Sequence, residues 1–136
     1  MNYYLKTIKN DNSLLDCVIT VIELPNEHQE EFTYQDAEIT FSVKHHFWFG
    51  GLRLLREQLE TLQKKIACKG ARIDTHPTNA LLHWEEVYLL EMGKKPTIKY
   101  HIFEQEEDYS KIAYLHEQET YYDKWWDNGW VENPMI

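Results

Sequence analysis

Between Leu14 and Leu24 the chain reads LLDCVITVIEL, rich in Val and Ile and ended by Pro25. Branched side chains suit the pleated, half-buried surface of a strand, so the segment predicts one. The next stretch, Asn26 to Gln35, is polar and acidic and predicts a loop or an exposed hairpin. Ala37, Ile39, Phe41 and Val43 then alternate with Glu38, Thr40, Ser42 and Lys44. A period of two sends alternate side chains to opposite faces, so the apolar set is expected on a core and the polar set in water.

The period then lengthens. Leu52, Leu55, Leu59, Leu62 and Ile66 recur at steps of three and four, which line one helix face, while Arg53, Arg56, Glu57, Glu60, Lys64 and Lys65 cover the rest. Gly50-Gly51 weakens the first turn and predicts a late start. Gly70 lies too far along to cap this helix. A strand is expected over Ile66 to Ile73, then a loop through Thr75, Pro77 and Asn79. Two more strands, Val87 to Met92 and Thr97 to Phe103, flank a turn at Gly93-Lys94-Lys95-Pro96, where Gly tolerates positive φ and Pro cannot continue a ladder. A second helix is expected from about Asp108 to Asp127, capped by Asp108 or Ser110, and Asn128 to Ile136 reads as a terminal tail. Strands, helix, strands, helix in that order predict a single α+β domain over residues 1–136. It would be a mostly antiparallel sheet with one long central helix and one C-terminal helix packed on it.

Composition narrows the class. The 136 residues carry 14 Lys plus Arg against 23 Asp plus Glu, a formal charge of −9, with 43% apolar and 14% aromatic residues. Disordered acidic chains lack aromatic and branched apolar side chains, so this one is expected to fold. Its charge repels phosphate backbones and suits a cationic partner. The opening MNYYLKTIKN has no apolar signal region, and no apolar run approaches the ~18 residues of a membrane helix. These features predict a cytoplasmic protein without membrane association. Cys17 and Cys68 lie far apart with no CxxC pattern, and read as small core residues.

The catalytic and metal signals are incomplete. His45 and His46 are adjacent, so on a strand they face opposite sides. His116-Glu117-Gln118-Glu119-Thr120 begins like a zinc-protease motif, but Thr120 stands where the second His is required. None of Ser13, Ser42 and Ser110 sits in a GxSxG setting, and the glycines form neither a phosphate-binding loop nor a dinucleotide fingerprint. The expectation is therefore no catalytic residues, no metal and no cofactor.

Charge placement says more. Six acids and no Lys or Arg lie between Glu23 and Glu38, and eight acids between Glu104 and Asp127 face only Lys111 and Lys124. Lys44 to Arg72 reverses the balance with seven basic and two acidic residues. Two acidic stretches form a cation-binding surface if the fold brings them together. On the last helix, at about 100° per residue, Ile112, Leu115, Tyr122 and Trp126 share one face. That stripe is expected to be core. Tyr114, Tyr121 and Trp125 form a second stripe, either core against the tail or aromatic anchors toward a partner. Glu117, Glu119, Tyr121, Asp123 and Trp125 are the candidate partner-binding residues.

The central segment also resembles a known family. Gly51 to Glu60 (GLRLLREQLE) leads into Ile66-Ala67-Cys68-Lys69-Gly70-Ala71-Arg72, then Asp74, Thr75, Pro77, Thr78 and Asn79, and the strand Val87-Tyr88-Leu89-Leu90-Glu91-Met92-Gly93. This order is similar to small bacterial immunity proteins of contact-dependent growth inhibition and related polymorphic toxin systems. It covers about Phe41 to Trp126, and departs from the family pattern where Ala80 to Glu86 replaces a Gly-rich stretch. The resemblance implies a cytoplasmic protein that binds and neutralises a cognate toxin C-terminal domain, commonly a nuclease, and implies no catalytic residues. A nuclease holds phosphates with cationic groups, so an acidic inhibitor would occlude an electropositive active site. The competing reading is a small enzyme or ligand-binding protein with two or more of His45, His76, His83, His101 and His116 beside a carboxylate in one pocket. An acidic decoy for DNA-binding proteins is a third, differing from the first mainly in its target.

Overall fold

The computed structural model describes residues 1–81 and 84–129. Its larger sheet has five strands. These are β1 (Asn2–Ile8), β2 (Leu14–Leu24), β3 (Gln29–Gln35), β4 (Thr40–His45) and the two-residue β5 (Lys65–Ile66), in the order β4-β3-β2-β1-β5 and antiparallel throughout. A smaller antiparallel sheet joins β6 (Thr75–His76), β7 (Glu86–Leu89) and β8 (Lys99–His101). Helix α1 (Trp48–Glu60) crosses the inner face of the larger sheet, and α2 (Leu115–Asn128) packs against β6 and α1. The architecture is α+β.

The alternation in β2 and β4 places Cys17, Ile19 and Val21 in the core and Phe41 and Val43 against it. Leu52, Leu55 and Leu59 of α1 are fully buried on that sheet. Leu62 lies past the helix end and is half exposed, because Gln63 turns the chain at a φ of 58° toward β5. One apolar core runs from Leu5 and Ile8 of β1 to Val87, Ile102 and Phe103 of the smaller sheet.

Four expectations change. The acidic segment after Pro25 is mostly strand, with its turn confined to the residues before Gln29. β3 forms because Phe32 and Tyr34 alternate with polar residues and bury completely. Helix α1 does not start late: Gly50 and Gly51 lie within it. A Cβ on Gly51 would overlap the Phe32 ring, and one on Gly50 the His45 imidazole, so these glycines allow the helix to approach the sheet. The Ile66 to Ile73 segment is not a continuous strand, since a 3₁₀ turn at Lys69–Ala71 follows β5. The last helix begins at Leu115, later than Asp108, which instead caps a separate 3₁₀ turn at Tyr109–Lys111 by accepting from the Ser110 N–H. Most of the tail, residues 130–136, lies outside the described residues.

A candidate partner-binding cleft

The inward face of α2 is centred on Gln118 and on Trp125 of the second aromatic stripe, with Tyr121 and Tyr122 half-buried to either side. Trp125 is 1% exposed, and its Nε1 donates to the carbonyls of Glu91 (3.1 Å) and Lys94 (3.3 Å). Tyr121 donates its hydroxyl to the Leu90 carbonyl at 2.9 Å. Trp126, expected in the core, is 56% exposed. The reason is the late helix start. Ile112 precedes the helix and bridges to Arg72, so it cannot extend a helical stripe, and Gln118 and Trp125 define the inward face. Trp125 is therefore buried and not a surface anchor, and both it and Tyr121 hydrogen-bond to the loop that follows β7.

The carboxylates of α2 divide. Glu117 accepts from the Tyr114 N–H at 2.8 Å and closes the helix start. Glu119 lies 3.7 Å from Nε2 of His76 and 4.0 Å from Arg53. Asp123 is exposed. His76 stacks on Tyr122 at 3.6 Å between ring centroids and against Phe49 at 5.1 Å. Burial, helped by the Arg53 charge, brings its pKa down to about 4.

Cations from the basic centre of the chain pair with part of each acidic stretch. Lys64 binds Asp36 (3.0 Å) and Glu38 (2.8 Å). Asp36 also accepts from the Tyr34 hydroxyl and the Glu38 and Ile39 N–H groups. Burial opposes its charge, but these donors outweigh it and hold the carboxyl at about 2. Lys69 and Arg72 both bind Glu106, at 2.9 and 2.7 Å, and Arg72 forks onto Asp74. Glu106 is likewise held at about 2 by these donors and the Asp108 N–H, against the cost of its burial. Asp36, Glu38 and Glu106 thus have their charge met by cations from the centre.

A different set of carboxylates converges at the open end of the larger sheet. Counting inward-facing positions along β2 and β3, apolar Val21 and Phe32 are followed by Glu23 and Glu30, which sit directly opposite each other in the ladder. His45 of β4 is opposite Glu30 on the other side. The smaller sheet brings Glu86 and His101, paired across β7 and β8, and Glu85 just before β7. Trp48, the first residue of α1, stands edge-on to Tyr3, Phe32 and His101, at 6.3, 5.7 and 5.9 Å. Glu30, Glu85, Glu86, Trp48, Trp84 and His101 together line a cleft of about 440 Å³.

Charges there are poorly compensated. Burial, then Glu23 and Glu85, raise the Glu30 pKa. Among the described residues, Lys99 is the Lys or Arg in ion-pair contact with these carboxylates, 4.0 Å from Glu86 at the rim. His101 directs Nε2 toward Glu85 at 3.6 Å, while its Nδ1 accepts from the Phe103 N–H. Trp84 is 62% exposed. An apolar wall beside concentrated negative charge draws in cations and offers them an aromatic surface.

Other features are structural. Cys17 and Cys68 are buried and unpaired, and burial pushes the Cys68 thiol up to about 12. Among the described residues no group of three His, Cys, Asp or Glu side chains is placed to share a metal ion. The cleft holds one of the histidines considered above, His101, and His83 lies outside the described residues. No helix among the described residues is long and apolar enough to cross a membrane. Glu23 and Glu30 were visible in the sequence as acids, but their meeting with Glu85 and Glu86 is a product of the fold. The one local signal was charge at positions where β2 and β3 alternation calls for apolar side chains. The chain matches no family model, no curated protein and no solved structure.

Proposed function

We propose that this chain is an immunity protein that binds and neutralises a cognate contact-delivered toxin domain, a basic nuclease, in the cytoplasm. The observation that carries the reading is the Glu23–Glu30 pair at inward ladder positions, joined by Glu85 and Glu86 beside exposed indole surface. Like charges directly opposite in a ladder destabilise a sheet. Their presence is accounted for when a cationic partner uses them. The resemblance of the Cys68 to Arg72 segment and its flanking elements to immunity proteins supplies the class of partner. The Cys68 to Arg72 motif is itself architectural: Gly70 packs on Leu52 and Ile102, and Arg72 holds Asp74 and Glu106.

The mechanism is occlusion. A nuclease active site is electropositive because it holds phosphates, so an acidic surface docked there excludes substrate. Carboxylates at the rim accelerate encounter, and desolvated aromatic surface slows release. The test is to read the gene immediately upstream and, where it encodes a C-terminal toxin domain, to co-express the two, followed by co-purification and binding kinetics at low salt. The double reversal Glu30→Lys with Glu85→Lys should slow association at least tenfold, whereas Asp123→Lys on α2 should not. Failure of the wild-type chain to co-purify with that domain would end the immunity reading. Unchanged association by the double reversal would move the interface elsewhere.

A further inference from the structure

We infer that the cleft formed by Glu30, Glu85, Glu86, Trp48, Trp84 and His101 receives an arginine side chain projecting from the partner. This rests on the reading above that the partner is a basic protein, and specifies how the cleft would recognise it.

Three properties lead there. First, the acids line an open cleft, whose volume of about 440 Å³ falls in the range of small-ligand sites. Second, its carboxylates come from both sheets and repel one another, so a cation entering among them relieves an existing conflict. Glu30 faces Glu23 across the ladder, and Glu85 adds to the negative field at Glu30. Among the described residues, Lys99 reaches Glu86 at 4.0 Å. Third, the remaining wall is aromatic. Trp48 is braced by Tyr3, Phe32 and His101, so its position is set by the core, and Trp84 offers further indole surface.

Guanidinium fits this combination better than ammonium. Its five donors lie in one plane, can serve more than one carboxylate, and its face stacks on indole. It is also more weakly hydrated, so entering a half-buried cleft costs less. A lysine ammonium carries its hydration with it and has no flat face to present.

The experiment uses the full chain, labelled with ¹⁵N, and reads the tryptophan indole N–H resonances. The probe is N-acetyl-arginine N-methylamide at low salt, run beside the equivalent lysine and citrulline amides. Citrulline keeps the shape and removes the charge. Saturable shifts at Trp48 and Trp84 with arginine, weaker ones with lysine and none with citrulline are expected, with Trp125 unmoved. Glu30→Gln with Glu85→Gln should weaken the arginine response at least fivefold while the Trp125 resonance confirms the fold. No arginine response at Trp48 or Trp84, an equal response to citrulline, or equal arginine and lysine affinities would overturn the assignment. Co-purification with the toxin domain is measured separately, so the cleft can fail while the immunity reading stands, and the reverse.

Discussion

Arg56 of α1, 2% exposed, donates a hydrogen bond to Oε1 of Gln118 on α2, and Gln118 in turn donates from Nε2 to the carbonyls of Gly70, Arg72 and Thr75 at 2.8 to 2.9 Å. One fully buried amide thus joins both helices to the turn between them. Arg56 also donates to the Ala113 carbonyl at 2.8 Å, and burial lowers the pKa of its guanidinium. A buried charge held by neutral acceptors depends on every one of them.

Gln118→Leu removes an acceptor from Arg56 and the donor to three carbonyls. It should cost about 3 kcal/mol or more in urea unfolding, the usual scale for stranding a buried charge. Adding Arg56→Met should recover part of that loss, because the stranded charge is then gone. A double variant whose loss equals the sum of the two single losses would show that the pair is not coupled.

The glycines of α1 reverse an ordinary rule. Gly→Ala inside an exposed helix stabilises by up to ~1 kcal/mol. Gly51→Ala should instead destabilise by ~1–3 kcal/mol, since the new methyl meets Phe32 in a packed core. Gly70→Ala should be worse, because its Cβ would stand 2.9 Å from the Ile102 carbonyl oxygen as well as overlapping the Ile102 side chain. Thermal melting of the two variants checks the sign directly; a raised midpoint for Gly51→Ala contradicts the close approach.

Relieving the like-charge pair should strengthen the isolated protein. Glu30→Gln is expected to raise stability by ~0.2–1 kcal/mol at low salt, with the gain shrinking as salt screens Glu23 and Glu85. The same substitution should slow association with a basic partner. Stability gained together with binding lost is the signature of charges kept for function. A destabilised Glu30→Gln protein would mean that the carboxylate has a structural role.

His76 sets the first step of acid sensitivity. Its ordinary pKa of 6.5 falls to about 4 in the folded chain, so the unfolded chain takes up the proton first as pH drops. Stability is therefore full above about pH 6.5 and declines down to about pH 4, by roughly 3 kcal/mol in all. Asp36 and Glu106, both held near 2, extend the decline below their ordinary values of 3.8 and 4.5. Urea unfolding of wild type and His76→Phe at pH 7, 5.5 and 4.5 separates the two: the variant should lose most of the decline over that range, keeping the part due to His45, whose pKa burial also lowers. A wild-type profile as flat as the variant's would show that His76 does not stay neutral on folding.

Much of the scaffold was legible because its signals are local. The branched run of β2, the alternation feeding β4, the leucine stripe of α1 and the turn between β7 and β8 each follow from residues within one element. β1 escaped notice, although Tyr3, Leu5 and Thr7 alternate with outward-facing residues, because its inward side is completed by pairing with β2 and β5. The sequence leaves the second aromatic stripe of α2 open between core and surface and places Trp126 in the core. The start at Leu115 and the carbonyls of Glu91 and Lys94 bury Trp125 and leave Trp126 exposed.

The sequence by itself determined the α+β class, the main sheet faces and the leucine face of α1, since composition and periodicity need no knowledge of long-range contacts. The tertiary structure alone decided which charges are spent inside the molecule and which remain outward. Asp36 meets Lys64 across 28 residues and Glu106 meets Arg72 across 34, while Glu30 meets Glu85 with no Lys or Arg in ion-pair contact among the described residues. Coulomb energy depends on distance in space and on burial, and neither is written in the order of residues along the chain.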